Sequence, residues 1–362
     1  MNLTPIIGFY KKHQRWIHIC PFIMGFIFDS LVLRRIDELA TIIQQALYLV
    51  VSGFLVFIEL IELSRPVEAP RFFTKIWKYR EYGLQFLLGT LLNSYTIFYF
   101  KSASALTSFV FILVLIALLF LNEFLRFGKS QVQAHMAFMS LCLISYMQSL
   151  LPIVLGFMGT IPFLCGLFFS ILIFFGYYAL GTKYLTARPS LLNTHLLYPY
   201  ATVQSLFVIL YFAHAIPPVP LSVPYMGIYH DVQKKNGTYE LTYTRSKWKF
   251  WQNGDETFLA RPGDSIFCYA QIFSPTRFKE KLQVRWLFWS SQQGWQASDA
   301  IALQVVGGRE EGFRTITKKS NFQPGLWRAQ IETSDSHEVG RITFTVESDN
   351  STELREKHIE VR

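Results

Sequence analysis

The residues best suited to chemistry lie near the end of the chain. The stretch GGREEGFRTITKKSNFQPGLWR, residues 307–328, gathers charge between two glycine turns. A guanidinium presents a planar fork of donors that captures carboxylate or phosphate through paired hydrogen bonds, and an indole presents a flat apolar face to a sugar ring or an apolar group. Arg309, Arg314, Lys318 and Asn321, set beside an exposed Trp289 or Trp295, form the candidate ligand-binding face. The competing reading is a solvated hairpin. In it Arg309, Glu310, Glu311, Arg314 and Lys318 pair loosely, each pair contributing about 0–1 kcal/mol, while Trp286 and Trp327 sit in the core.

A second set interrupts apolar sequence. Asp29, Glu59, Glu62 and His135 fall in stretches where a charge at the centre of a bilayer costs about 2.5–3.5 kcal/mol. Asp29 precedes Arg34 by five residues, and Glu59 and Glu62 lie within reach of Arg65. Pairing and snorkelling at span ends therefore compete with a functional role. The run Asn93–Thr96 is more central and suits hydrogen bonding between helices. No glycine-rich phosphate loop, G-x-S-x-G, H-E-x-x-H or EF-hand pattern occurs. His230, His337 and His358 are scattered, so no catalytic residue is assigned and no cofactor is expected. The cysteines, Cys20, Cys142, Cys165 and Cys268, show no metal-ligand spacing, so no metal site is expected. Cys268 stands alone in the polar part, which excludes an internal disulfide there.

The elements that must position these residues differ sharply along the chain. Hydrophobic residues make up 51% and charged residues 16% of the whole, a membrane-like average that hides a split. Residues 1–224 hold 15 Lys/Arg and 8 Asp/Glu, and residues 225–362 hold 19 and 17. The excess positive charge thus belongs to the oily part, where it orients helices more often than it holds nucleic acid. Apolar stretches of roughly 20 residues, the length that crosses a hydrocarbon layer, occur near 17–33, 39–61, 82–100, 103–121, 134–155, 158–180 and 198–216. Seven spans put the two ends on opposite sides. Lys11, Lys12, Arg15, Arg65, Arg71, Lys75, Lys78, Arg80, Arg126, Lys129, Lys183 and Arg188 fall on one side, and Arg34, Arg35 and Lys101 on the other. That imbalance predicts a cytoplasmic N-terminus and an external C-terminal domain.

IPPVPLSVP, residues 216–224, cannot continue a helix and predicts an extended strut. Beyond it the period becomes two, in TYELTYT, IFCYAQIF, LQVRWLFW, AIALQVV, LWRAQIET and RITFTVE. Six to eight strands in an antiparallel sandwich are expected. Trp327, Ala329, Ile331, Ile342, Phe344 and Val346 should face inward, and Arg328, Gln330 and Glu332 outward. The division is a transmembrane domain over 1–215, a linker over 216–224, a sandwich over 225–347 and a charged, frayed tail over 348–362.

VVGGREEGFRTITKKSNFQPGLWRAQIET, followed by GRITFTVE and preceded by VRWLFW, resembles the C-terminal domain of a bacterial membrane-protein family catalogued as a domain of unknown function, number 2914. Members commonly carry a histidine before the tryptophan that aligns with Trp286, where this chain has Arg285. The resemblance implies an immunoglobulin-like β-sandwich and a bacterial envelope location, and supplies no mechanism. The expectation is an inner-membrane protein whose periplasmic sandwich recognises an envelope glycan, a lipid headgroup or a protein partner, with the bilayer as its other partner. A membrane enzyme acting on lipid-linked or envelope glycan substrates, and a transporter, are the alternatives.

Overall fold

The computed structural model describes residues 35–67, 77, 79–104, 106–124, 130–185, 189–276, 278–306 and 312–362. The first apolar stretch with Asp29, and the segment holding Arg309, lie outside the described residues. Five long helices follow one another: α1 (Leu39–Glu62), α2 (Arg80–Ser102), α3 (Leu106–Phe124), α4 (Gln131–Leu155) and α5 (Thr160–Tyr184). A sixth rod is composite, with one turn at Pro189–Leu192, a wider π-turn at Asn193–Leu197, and α6 (Tyr198–Phe212).

Among the described residues four helices are long and apolar enough to cross a membrane, namely α1, α4, α5 and the composite Ser190–Phe212. At 1.5 Å per residue each covers a hydrocarbon layer of about 30 Å. The seven expected spans are therefore not all reproduced among the described residues. α2 is diluted by its polar run Asn93–Thr96, whereas α3 is apolar along Leu106–Phe124. α4 is the hub, packed against α1, α2, α5 and α6. Of its apolar window 67% is buried, against 33% or less in the other three, which leaves side chains such as Phe54, Phe168, Phe175 and Ile209 facing outward. Gly156 ends α4 in a left-handed conformation (φ 80°), its N–H donating to the Pro152 carbonyl at 2.7 Å.

Eleven strands follow: β1 (Ser222–Tyr229), β2 (Asp231–Lys235), β3 (Thr238–Tyr243), β4 (Thr257–Ala260), β5 (Ile266–Phe273), β6 (Lys279–Ser290), β7 (Gly294–Val306), β8 (Phe313–Lys319), β9 (Gly325–Thr333), β10 (Glu338–Ser348) and β11 (His358–Val361). A sheet ordered β1-β5-β8 faces one ordered β4-β10-β9-β6-β7. Neighbours are antiparallel except β4, which runs parallel to β10. Ile228, Cys268 and Ala270 from the first sheet meet Val284, Trp286, Ala329 and Phe344 from the second in one core. Alternation places Trp327, Ala329, Ile331, Ile342, Phe344 and Val346 inside, as expected. Glu332 faces outward as expected but is covered on that face, held by Arg285 at 3.1 Å, Gln283 at 3.2 Å and Gln330 at 2.8 Å.

Three expectations change. Residues 313–328 do not form a hairpin, because β8 and β9 belong to different sheets and β8 pairs with β5. Alternation along β8 turns Thr315, Thr317 and Lys319 inward. The Lys319 ammonium bonds Ser298 at 2.8 Å and the Asp299 carboxylate, and lies 5.4 Å from the Trp327 ring centre. The proline segment is no free strut either. Ile216 and Val219 are buried in the helical core and Leu221 in the sandwich core, and β1 begins at Ser222. Nor is the tail frayed. β11 pairs with β3 in a third, outer sheet, β11-β3-β2, which closes over Tyr225, Tyr229, Leu241 and Tyr269.

Arg355 fixes the tail before that pairing, with its guanidinium 2.7 Å from the Asp264 carboxylate and donating to the Leu259 carbonyl at 2.8 Å. Arg355→Ala should lower stability by about 1.5–3 kcal/mol, the range for a hydrogen bond to a charged group. Glu356→Ala, at an exposed neighbour, should stay within about 0.5 kcal/mol. Thermal unfolding of the purified chain checks both.

Candidate functional site at the seam between helices and sandwich

The outer end of α2 is where the two parts of the chain meet. The helix stops at Ser102 because Ala103 adopts extended backbone (φ −86°, ψ 135°), which leaves Lys101 exposed at the rim. Two cavities open beside it. One, of about 210 Å³, is lined mainly by Arg35, Ile36, Phe98, Val219, Pro220 and Phe273, together with Lys101. The other, of about 430 Å³, is lined by Lys101, Ser104, Asn253, Glu256 and Arg341 with neighbouring parts of β1 and β10. Lys101 and Pro224 line both. An apolar recess and a polar one thus adjoin at Lys101 and Pro224.

The polar recess has a topological cause. β4 pairs with β10 only over Thr345–Ser348, so the leading part of β10, from Val339 to Thr343, borders the cavity with no strand on that edge among the described residues. Its backbone groups are available to a ligand, as on any open sheet edge. Gly340 lets β1 cross close by, because a Cβ there would lie 2.6 Å from Val223.

Charges around the seam are organised in pairs. Arg35 grips Asp37 through two hydrogen bonds of 2.9 and 2.8 Å, and the same carboxylate accepts the Thr276 N–H at 3.1 Å, tying the approach to α1 to the sandwich. Glu338 accepts a hydrogen bond from Ser104 at 2.7 Å and sits 3.3 Å from Arg341. An anionic group entering beside Lys101 would meet these two arginines as well, and Glu256 offers an acceptor for a hydroxyl or amine.

A second contact lies across the seam, where α6 ends. Tyr211 stacks on Phe163 at 3.6 Å and donates to Asp335 at 3.4 Å. Asp335 also accepts Thr333 Oγ1 at 2.6 Å and lies 3.2 Å from His337 Nδ1. His337 is buried, its ring 4.4 Å from that of His214 and its Nε2 without a hydrogen-bond partner. Burial works to raise the Asp335 pKa, but hydrogen bonds from His337 and Thr333 outweigh it and hold the carboxyl at about 2, below its ordinary 3.8. The adjoining cavity, about 30 Å³, has room for a water or two. This cluster is a latch between α6 and the β9–β10 turn. Among the described residues no group of three or more His, Cys, Asp or Glu side chains is placed to hold a metal ion.

The residues singled out in the sequence are scattered by the fold. Arg314 and Lys318 lie on the outer face of β8. Arg314 donates to the Gly237 carbonyl at 3.1 Å and sits 5.8 Å from the Tyr239 ring, bracing the β2–β3 turn. Lys318 lies 5.7 Å from the Phe267 ring, and Asn321 is exposed just beyond β8. Trp289 is on the outer face of the other sheet, 43% exposed and edge-on to Trp295, over which Arg328 sits at 3.9 Å. The proposed face therefore does not assemble with Trp289. Two intramembrane candidates do come together: Glu59 and His135 form a buried contact of 2.8 Å between α1 and α4. Glu62 pairs with Arg80 at 2.6 Å rather than with Arg65. Lys101 was legible only as an orienting charge, and Arg341 only as the residue after a glycine in EVGRITF.

Residues 279–346 match the family described as Protein of unknown function (DUF2914), from the start of β6 into β10. No curated protein matches the chain. Among solved structures, an immunoglobulin-like protein from Pseudomonas aeruginosa aligns at 13% identity and TM-score 0.22, over 36% of this chain and 98% of that one. A β-glucosidase from Listeria innocua in complex with glucose aligns at 17% and 0.20, over 32% of this chain and 17% of that enzyme. An alkylpurine DNA glycosylase from Pseudomonas fluorescens, bound to DNA containing an abasic site analog, aligns at 8% and 0.19, over 86% and 99%. At these TM-scores none of the three bears on function.

The latch generates a pH dependence. A carboxyl held below its unfolded value stabilises the fold above that value and loses the contribution as it protonates. Stability of the wild-type protein should fall as pH drops from about 3.8 towards about 2. Asp335→Asn should flatten that part of the profile, as read from melting temperature against pH.

Proposed function

We propose that this chain is a multi-pass protein of the bacterial inner membrane, with its N-terminus cytoplasmic, whose periplasmic immunoglobulin-like sandwich holds an anionic amphiphile at the seam beside Lys101. The order β10-β9-β6-β7 opposite β1-β5-β8, with β4 parallel on the far edge, supports the immunoglobulin type. The sparse basic residues support the orientation. Arg35 and Lys101 line one cavity at the sandwich end of the bundle, while the Arg80–Glu62 pair joins the opposite ends of α1 and α2, where basic residues are dense.

The observation that carries the ligand class is the position of Lys101, between a recess walled by Phe98, Val219, Pro220 and Phe273 and one walled by Ser104, Asn253, Glu256 and Arg341. A lipid-type molecule suits that layout. Its apolar portion lies along the first wall, its phosphate or carboxylate meets Lys101, and its polar remainder reaches Arg341 and the open edge of β10. Burying an acyl segment contributes about 0.8 kcal/mol per methylene, and the ammonium selects for charge.

Native mass spectrometry of the full chain released from membranes tests this. The wild type should carry a phosphate- or carboxylate-bearing amphiphile, and Lys101→Glu should lose it while keeping its melting temperature. Equal retention by both proteins, or no bound amphiphile in either, contradicts the proposal.

A further inference from the structure

The loop between β3 and β4, TRSKWKFWQNGDE at residues 244–256, carries Trp248, Phe250 and Trp251 at 65%, 82% and 57% exposure. None of the three joins a hydrophobic core. They pack on one another instead, with Trp251 5.3 Å from Trp248 and 5.4 Å from Phe250, both pairs edge-on. Arg245, Lys247 and Lys249 alternate with them, and the Lys249 ammonium lies 5.8 Å from the Trp248 ring. The display is built. Two successive turns, Lys249 N–H to the Ser246 carbonyl and Gln252 N–H to the Lys249 carbonyl, both 3.1 Å, shape the tip. Asp255, fully buried, accepts the backbone N–H groups of Thr244 at 3.0 Å and Arg245 at 2.7 Å, pinning the neck. Arg245 braces the loop from within by donating to the Lys249 carbonyl at 2.9 Å.

The loop's place supplies the partner. Asn253 lines the same cavity as Lys101, Ala103 and Ser104 at the end of α2, so the returning arm of the loop borders the space between sandwich and helices, while its base is fixed further along β1, where Gly254 meets Ile228. Clustered aromatic rings interleaved with cations suit the boundary between headgroups and acyl chains, where indoles concentrate and basic side chains reach up to phosphates. We infer that the 244–256 loop docks in the outer leaflet of the bilayer its own helices cross, with Trp248, Phe250 and Trp251 below the phosphates and Lys247 and Lys249 among them. The sandwich is thereby held to the membrane at a second point beside the seam. The inference rests on the membrane-spanning reading, but not on an amphiphile in the seam.

The test uses the full chain in nanodiscs of zwitterionic and anionic phospholipid. An encoded fluorescent amino acid replaces Phe250 in one preparation and Phe175, outward-facing on α5, in another. The expected result is quenching of both probes by brominated lipid, with position 250 quenched best by bromine near the headgroup, about 5–10 Å into the boundary region. Lys247→Glu/Lys249→Glu should weaken that quenching at 250 and leave 175 unchanged. If 175 is quenched by lipid while 250 answers only to a water-soluble quencher, the loop inference is overturned and the spanning reading stands. If 250 is shielded from both quenchers, a protein surface covers the loop and the inference is again overturned. If 175 is not quenched by lipid, the spanning reading itself fails. The melting temperature of each labelled protein, at sites this exposed, should match the wild type.

Discussion

The stretch from Ile216 to Leu221 is shared between two hydrophobic cores: Ile216 and Val219 pack among the helices, and Leu221 packs in the sandwich. Four prolines in the segment IPPVPLSVP remove backbone donors and fix φ, so the segment cannot be a helix, yet its apolar side chains are spaced to reach both cores. The consequence is a sandwich seated on the helix ends rather than one swinging on a tether. Each contact across the seam depends on that seating: Arg35–Asp37–Thr276, Ser104–Glu338 and the Tyr211–Asp335–His337 cluster. So do the cavities beside Lys101, whose walls come from both parts of the chain, and the level at which the aromatic loop emerges.

Buried charge is managed by pairing at every depth. Glu59 meets His135 inside the bundle, Asp335 meets His337 at the seam, Lys319 meets Asp299 at the sheet edge, and Glu332 meets Arg285 on the outer face. Breaking such a pair costs more than forming it contributes, because the partner is left unsatisfied away from water. These pairs fix how the elements fit. Arg285, standing where the resembled family commonly has histidine, is one of them. The substitution therefore bears on the surface of the five-stranded sheet, since Trp286 beside it keeps its place in the core.

Where one local rule decides, the fold was legible in the sequence. Period-two alternation placed Trp327, Ala329, Ile331, Ile342, Phe344 and Val346 in the core, and apolar length located α1, α4, α5 and the composite last helix. Expectations failed where long-range pairing overrides composition. The tail reads as charged and loose, but Arg355 finds Asp264 far upstream and β11 finds β3. Residues 307–328 read as one hairpin because neighbours in sequence usually pair, but β8 crosses to the other sheet. Arg314 and Trp289 looked like one surface because sequence carries no record of which of the two sheets a strand joins. The run KWKFW was visible as composition, but its meaning depends on the rim from which it hangs.

The claim on which the account turns is that the seam joins helices and sandwich into one mechanical unit. Amide hydrogen exchange on the full chain in nanodiscs, wild type beside His337→Ala, tests it directly. The account predicts faster exchange in the variant on both sides of the seam, in the β9–β10 turn and in Ala213–Ile216 after α6. Acceleration confined to the β9–β10 turn would mean that the sandwich merely rests on the helices, and would contradict it.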